Sequence, residues 1–257
     1  GTVFAVFYAV FGIPLARFAD VWVRRSLISA GLLVWSVMTA MSGFARSFPM
    51  LAVFRIGVGI GEASASPAAY SMLSDYYHPR LRATVLAIYS SGVYIGGGIG
   101  LFLGGFIMET WNGAYPDPGT SPLNLKGWQA AFLAVGIPGV LMAIWVRTLK
   151  EPIRGISEGL VTKEHPAPFS VLKEEFASML PFFNLMGLKR DGASLPLNFA
   201  AAAVITVIAI FLSWLTDNPS QWIALGIGVY VTFSWAQSIQ ARDTATFHMI
   251  FKSKAMV

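Results

Sequence analysis

Charge is nearly absent from most of this chain, and the uncharged runs have the length of a lipid bilayer. Residues 1–16, 26–45, 83–108, 127–146, 193–216 and 218–241 contain no Asp, Glu, Lys or Arg. A seventh run, Leu51 to Leu73, is apolar apart from Arg55 and Glu62. A spanning helix needs about 20 such residues, because the hydrocarbon core is ~30 Å thick and a helix rises ~1.5 Å per residue. Backbone N–H and C=O groups find no water there, so each run must satisfy its own hydrogen bonds as a helix. The expected fold class is therefore all-α: a polytopic helical membrane bundle, of which this chain is an internal, incomplete piece.

The net charge of +5 raises the question of a nucleic-acid partner. Its distribution answers it. Arg17, Arg24 and Arg25, then Arg80 and Arg82, then seven basic residues from Arg147 to Arg190, then Arg242, Lys252 and Lys254 fall in alternate loops. The intervening loops hold only Arg46 and Lys126. That asymmetry is the positive-inside pattern of cytoplasmic loops, and it explains the basic balance without nucleic acid. The lipid bilayer is the expected surrounding, and the protein is expected to be integral and multi-pass, in the inner (plasma) membrane. There is no cysteine, hence no disulfide and no thiolate metal site. His78, His165 and His248 are isolated in sequence and match no metal-ligand or nucleophile–base spacing. No cofactor and no enzymatic activity are expected.

The order of runs divides the chain into four parts. Residues 1–149 form one bundle, and 150–192 form a cytoplasmic linker. Within the linker Phe169, Leu172, Phe176, Met179 and Phe183 keep a three-four spacing that predicts an amphipathic helix on the membrane surface, interrupted by Pro181. Residues 193–241 form a transmembrane hairpin with a tight link at Asp217–Ser220, and 242–257 approach a further bundle. Pro138 is expected to kink the run that contains it.

The residues able to carry chemistry cluster in the Leu51–Leu73 run. Arg55 and Glu62 lie seven positions apart and so share a helix face, offset by ~20°. Ser66 and Tyr70 continue that face at four-residue steps. Either charge at the middle of a lone helix would cost on the order of 2.5–3.5 kcal/mol, so the face must look into protein or a watery cavity. Arg55 suits an anionic headgroup, and Glu62 suits a proton taken up and released as its surroundings alternate. The plainer alternative is a structural pair that fixes helix packing. Gly57, Gly59 and Gly61 lack the strand and the spacing of a dinucleotide fingerprint, and are read as permitting close helix approach. Gly92, Gly96, Gly100 and Gly104, one per turn, are read in the same way. Asp20, Arg24, Arg25, Asp75 and Arg82 gather at the cytoplasmic side, either as ordinary helix-end charges or as a gate.

Two stretches carry a family resemblance. Residues 12–25, GIPLARFADVWVRR, resemble the loop signature of the major facilitator superfamily between its second and third helices. RIGVGIGEASASP from Arg55, SDYYHPRLRAT from Ser74, and LAIYSSGVYIGGGIG from Leu86 resemble its spinster-like branch. The resemblance covers about residues 4–150 and implies helices two to six of a two-bundle, alternating-access transporter. It implies that Asp20 and Arg24 form a cytoplasmic latch with Arg82 as partner of the aspartate, and that Arg55 and Glu62 face a central cavity. Ala16, Val21 and Val23 depart from the loop signature, and Gly97 stands where the antiporter signature has proline. The first helix and the C-terminal bundle would lie outside this chain, and the 193–241 hairpin is an addition to the basic plan.

The function expected is secondary active transport of a small amphiphilic or organic anionic solute, lysolipid- or sphingoid-phosphate-like, coupled to protons. The alternatives are a non-transporting receptor or scaffold that keeps the fold, separable by flux beside binding, and a lipid-acting intramembrane enzyme, separable by product formation.

Overall fold

The computed structural model describes residues 2–159, 165–179 and 183–251. Among them the regular structure is helical: α1 (Thr2–Val21), α2 (Arg24–Ser42), α3 (Phe48–Ala63), α4 (Ala65–Tyr76), α5 (Pro79–Ala114), α6 (Gly127–Thr148), α7 (Pro168–Met179), α8 (Phe183–Arg190), α9 (Leu195–Thr216), α10 (Pro219–Arg242) and α11 (Thr244–Phe251). Short 3₁₀ turns lie at Pro118–Thr120, Pro122–Asn124 and Ile156–Glu158. Seven helical stretches are long and apolar enough to cross a membrane, with α3 and α4 together making one of them, Phe48–Tyr76. The chain is an integral, multi-pass membrane protein.

Two compact units divide these helices: residues 1–17 with 167–257, and residues 18–166. This partition cuts elsewhere than the expected boundaries at 149, 192 and 241. The start of α1 clusters with the linker helices and the hairpin, because Phe11 meets Phe176 of α7 edge-on at 5.0 Å.

In the 18–166 unit, α2 is the central element, and small residues set its two contacts. A Cβ at Gly31 would lie 1.9 Å from Ser64 Oγ and 2.6 Å from the Gly61 carbonyl oxygen. One at Gly61 would lie 2.7 Å from the Gly31 carbonyl oxygen, and one at Gly57 would lie 2.6 Å from Met38 Cγ. Gly59 is buried in the same helix. On the other side of α2, Gly136 and Gly139 of α6 admit Ala40 and Ser36, and Ser29 Oγ donates to the Ala143 carbonyl at 2.8 Å. Lipid offers no hydrophobic drive between helices, so close approach over small residues supplies the contact energy.

Two expectations change here. The Leu51–Leu73 run is two helices, parted at Ser64. Pro67 has no N–H to return to the Ala63 carbonyl, and Ser64 Oγ donates instead to the Gly61 carbonyl at 2.8 Å. The ladder Gly92, Gly96, Gly100 and Gly104 packs against none of the described residues: a Cβ at any of these meets nothing within 4 Å, and no residue of α5 is buried. The ladder's own face is open, so the packing role expected of it is not played among the described residues. Pro138 lies inside α6, which continues on both sides of it.

The other unit is organised by buried polar groups. Asn184 Nδ2 donates to Tyr230 Oη at 2.9 Å and to Ser234 Oγ at 2.8 Å. Tyr230 Oη donates to Asn198 Oδ1 at 2.9 Å, and Asn198 Nδ2 donates to Gln237 Oε1 at 3.0 Å. Asn184, Asn198 and Ser234 are fully buried. Side-chain hydrogen bonds of this kind hold helices together where burial of apolar surface cannot. The predicted amphipathic helix exists as α7, but it docks on its neighbours through Glu175, which is 2% exposed and accepts from Arg242 Nη2 at 2.6 Å. Pro181, expected to interrupt it, lies outside the described residues.

Candidate functional site

The polar face of α3 and α4 is positioned by the α2 crossing. Gly57 and Gly61 turn toward α2, which leaves Glu62 exposed at the last turn before the Ser64 break. Arg55 is half-buried, its Cζ 5.9 Å from the centre of the Phe132 ring of α6. A guanidinium over an aromatic face is attracted by the ring quadrupole, by about 0.5–2 kcal/mol depending on desolvation. Arg55 and Glu62 act on each other electrostatically. Ser66 is half-buried, and Tyr70 is 40% exposed with its Oη 3.2 Å from Ser90 Oγ. Tyr70 also meets Tyr89 edge-on at 5.3 Å. Of the four residues predicted here, Glu62 and Tyr70 are exposed, while Arg55 and Ser66 are half-buried.

The second constellation gathers at the charged helix ends, and only part of it was visible in the sequence. Arg24 is 1% exposed, and each of its guanidinium nitrogens has a partner. Nε donates to Glu151 Oε1 at 2.9 Å, Nη2 to the Pro152 carbonyl at 2.9 Å, and Nη1 to Ser71 Oγ at 3.0 Å and to Asp75 Oδ2 at 2.5 Å. Glu151 also caps α2 from a distance: its carboxylate accepts the N–H of Arg24 at 3.3 Å and of Arg25 at 2.8 Å. No side chain local to Val23 performs that task. A carboxylate at a helix N-terminus satisfies orphan donors and meets the positive end of the dipole.

The same segment reaches two more helices. Asp75 Oδ1 accepts the N–H of Gly155 at 3.0 Å, where a φ of 77° suits glycine. Arg154 Nη2 donates to the carbonyls of Ala19 at 2.8 Å and Trp22 at 3.1 Å, at the carboxyl end of α1. Burial, and next the neighbouring Arg24, hold the Arg154 guanidinium below its usual value, opposed by Asp20, Glu151 and Asp75. Residues 149–158 therefore strap these helix ends together.

Of the predicted gate residues, Arg24, Arg25 and Asp75 meet in this strap. Asp20 is exposed and contributes to the field at Arg154. Arg82, expected opposite Asp20, directs its guanidinium to Glu158 Oε1 at 2.8 Å and Ser157 Oγ at 3.0 Å. Sequence reasoning missed Glu151, Arg154, Glu158 and Ser71. The signal available was the EPIRG run directly after α6, an acid and a base beside a proline and a glycine at the mouth of a spanning helix. Among the described residues no group of three or more His, Cys, Asp or Glu is arranged to hold a metal ion.

Spanning helices, a loop carrying the 12–25 signature and charges packed at one set of helix ends define a class. Residues 1–241 match the Major Facilitator Superfamily, and the chain belongs to it. Within that superfamily it is spinster-like. It is 28% identical over 158 residues to Protein spinster of Drosophila melanogaster, an alignment covering 62% of this chain and 24% of that protein. An MFS-type efflux pump of Mycolicibacterium smegmatis is 30% identical over 140 residues, covering 54% and 29%. The hexuronate transporter of Bacillus subtilis is 25% identical over 167 residues, covering 64% and 36%. The crystal structure of a bacterial homologue of the human lysosomal transporter Spinster, inward-facing and occupied, superposes with a TM-score of 0.51 at 29% identity. That match covers 96% of this chain and 67% of the other. The aligned part of this chain spans little more than a third, at most, of the length of these three curated relatives.

Proposed function

We propose that the protein is a secondary active transporter of a small amphiphilic or organic anionic solute, proton-coupled and working by alternating access in the plasma membrane. A lysolipid or sphingoid phosphate represents the solute class. One observation carries the reading: Glu62 stands exposed in the middle of a membrane span, on the face that also bears the half-buried Arg55. Placing a carboxylate there costs several kcal/mol unless water or a polar solute reaches it. Arg55 supplies a permanent positive charge for a carboxylate or phosphate headgroup. Glu62 exchanges a proton as its surroundings change from wet to apolar. A relative named for hexuronate transport supports the solute class, since hexuronates are organic anions. The strap on Arg24 is the element whose rearrangement accompanies rocking between states.

The test is flux in proteoliposomes containing the full-length protein, with headgroup-varied solutes at two pH values. Glu62→Gln is expected to keep the fold and to lose the pH dependence of uptake. A variant whose uptake follows pH as the wild type does would remove Glu62 from the coupling mechanism. Preference for anionic over neutral headgroups, lost in Arg55→Gln, tests the headgroup contact separately.

A further inference from the structure

At the end of the 18–166 unit away from the strap, the α2–α3 and α5–α6 connections flank a half-open cavity of about 710 Å³. Residues 43–50 and 109–127 carry two basic side chains, Arg46 and Lys126, and two acidic ones, Glu109 and Asp117. Both basic residues line the cavity, and neither acid does. Asp117 is engaged in its own turn, where its carboxylate accepts the Gly119 N–H at 2.9 Å. Arg46 and Lys126 are exposed, and no described carboxylate forms an ion pair with either.

The cavity is held in shape. Gln129 at its base is buried, and its amide ties the two connections together: Oε1 accepts the Lys126 N–H at 2.9 Å, and Nε2 donates to the Ala45 carbonyl at 3.2 Å. Leu123 and Asn124 both adopt left-handed backbone, φ 58° and 54°, which costs non-glycine residues on the order of 1–3 kcal/mol each. Leu123 is left 75% exposed and Phe48 78% exposed, both lining the cavity. Two unneutralised cations beside two exposed apolar side chains complement a molecule that is both anionic and apolar.

We propose that this cavity binds a single-chain anionic amphiphile, its carboxylate or phosphate headgroup held by Arg46 and Lys126 and its chain laid against Phe48 and Leu123. Leu51 and Trp128 of the lining stand one helical turn outward of Arg55 and Phe132. The cavity is thus an outer approach to the polar face, a role that rests on the function proposed above, whereas the binding does not.

The experiment uses the full-length protein in nanodiscs of zwitterionic lipid and a dodecyl phosphate carrying a photoreactive diazirine near its chain end. The label is mapped by mass spectrometry, which separates this cavity from the Arg55–Tyr70 face and requires no transport. Labelling is expected in residues 44–51 and 121–129, competed by dodecyl phosphate and poorly by inorganic phosphate or dodecanol. The Arg46→Gln/Lys126→Gln double variant should raise the half-saturating concentration by about tenfold or more. The charge-keeping double variant Arg46→Lys/Lys126→Arg should stay within about threefold of wild type, which separates loss of charge from loss of fold. Unchanged half-saturation in the glutamine variant, equal competition by dodecanol, or label absent from both segments would overturn the site. Competition by inorganic phosphate as strong as by dodecyl phosphate would overturn the amphiphile class.

Discussion

Arg24 shows how one residue is committed by partners far away in the chain. Its guanidinium is sealed from water, a state that is stable only while Asp75, Glu151, Ser71 and the Pro152 carbonyl all remain in place. Removing one member of a buried ion network strands the others, at a typical cost of 3–5 kcal/mol. Arg24→Ala is therefore expected to lower stability by about that amount, read as a fall in Tm of the detergent-solubilised protein. Arg24→Lys should recover little of it, because an ammonium cannot serve four partners spread around a planar fork. A variant with wild-type Tm would show that the network contributes no net stability. The sequence marked Arg24 as either a helix-end charge or part of a gate; burial made it a structural centre.

At the scale of helices, the α2–α3 crossing places the candidate site. Gly31 and Gly61 face each other's carbonyls, and the Ser64 hydroxyl occupies the space a Gly31 side chain would take. Gly31→Val must displace backbone as well as Ser64, and overpacking of this kind costs about 1–3 kcal/mol or more. The expected outcome is a lower Tm together with reduced solute flux, since Arg55 and Glu62 ride on the displaced helix. Full flux in a folded Gly31→Val protein would separate the crossing from the site. The glycines before Glu62 were read as permitting close approach because small residues do so in membranes. Which helix approaches was not legible, for the same three glycines would serve any neighbour. The Gly92–Gly104 ladder makes the point from the other side: it has the same spacing logic, yet its face meets no described residue.

For the whole molecule, the strap of residues 149–158 joins the signature loop to α4 and α5, and Asp20 lies at its edge. If the strap governs the balance of states, Asp20→Asn changes which side of the polar face is reachable. A single cysteine at Tyr70 would be the only thiol in these 257 residues, and its labelling from either side reports the change. Identical labelling from both sides, with and without Asp20→Asn, would refute that role. The hairpin of α9 and α10 contributes a separate architecture, in which Tyr230, Asn198 and Gln237 form a polar chain that Asn184 of α8 joins. Its spans were plain from hydropathy. Its internal bonds were not, because an asparagine in an apolar run declares only that some partner is needed.

The sequence alone determined that the regular structure is helical and where the seven apolar spans lie. This follows from a local fact: a peptide group in hydrocarbon must bond within its own helix. It also exposed Arg55 and Glu62, because charge inside an apolar run is costly wherever the run is placed. Only the tertiary structure decided that Glu151 caps α2 across 127 residues, that α3 and α4 part at Ser64, and that Arg46 and Lys126 share a cavity. Those outcomes depend on which surfaces meet. Pairing between distant segments leaves no period in the local pattern, since a side chain's chemistry states what it requires and only the packed chain states who supplies it.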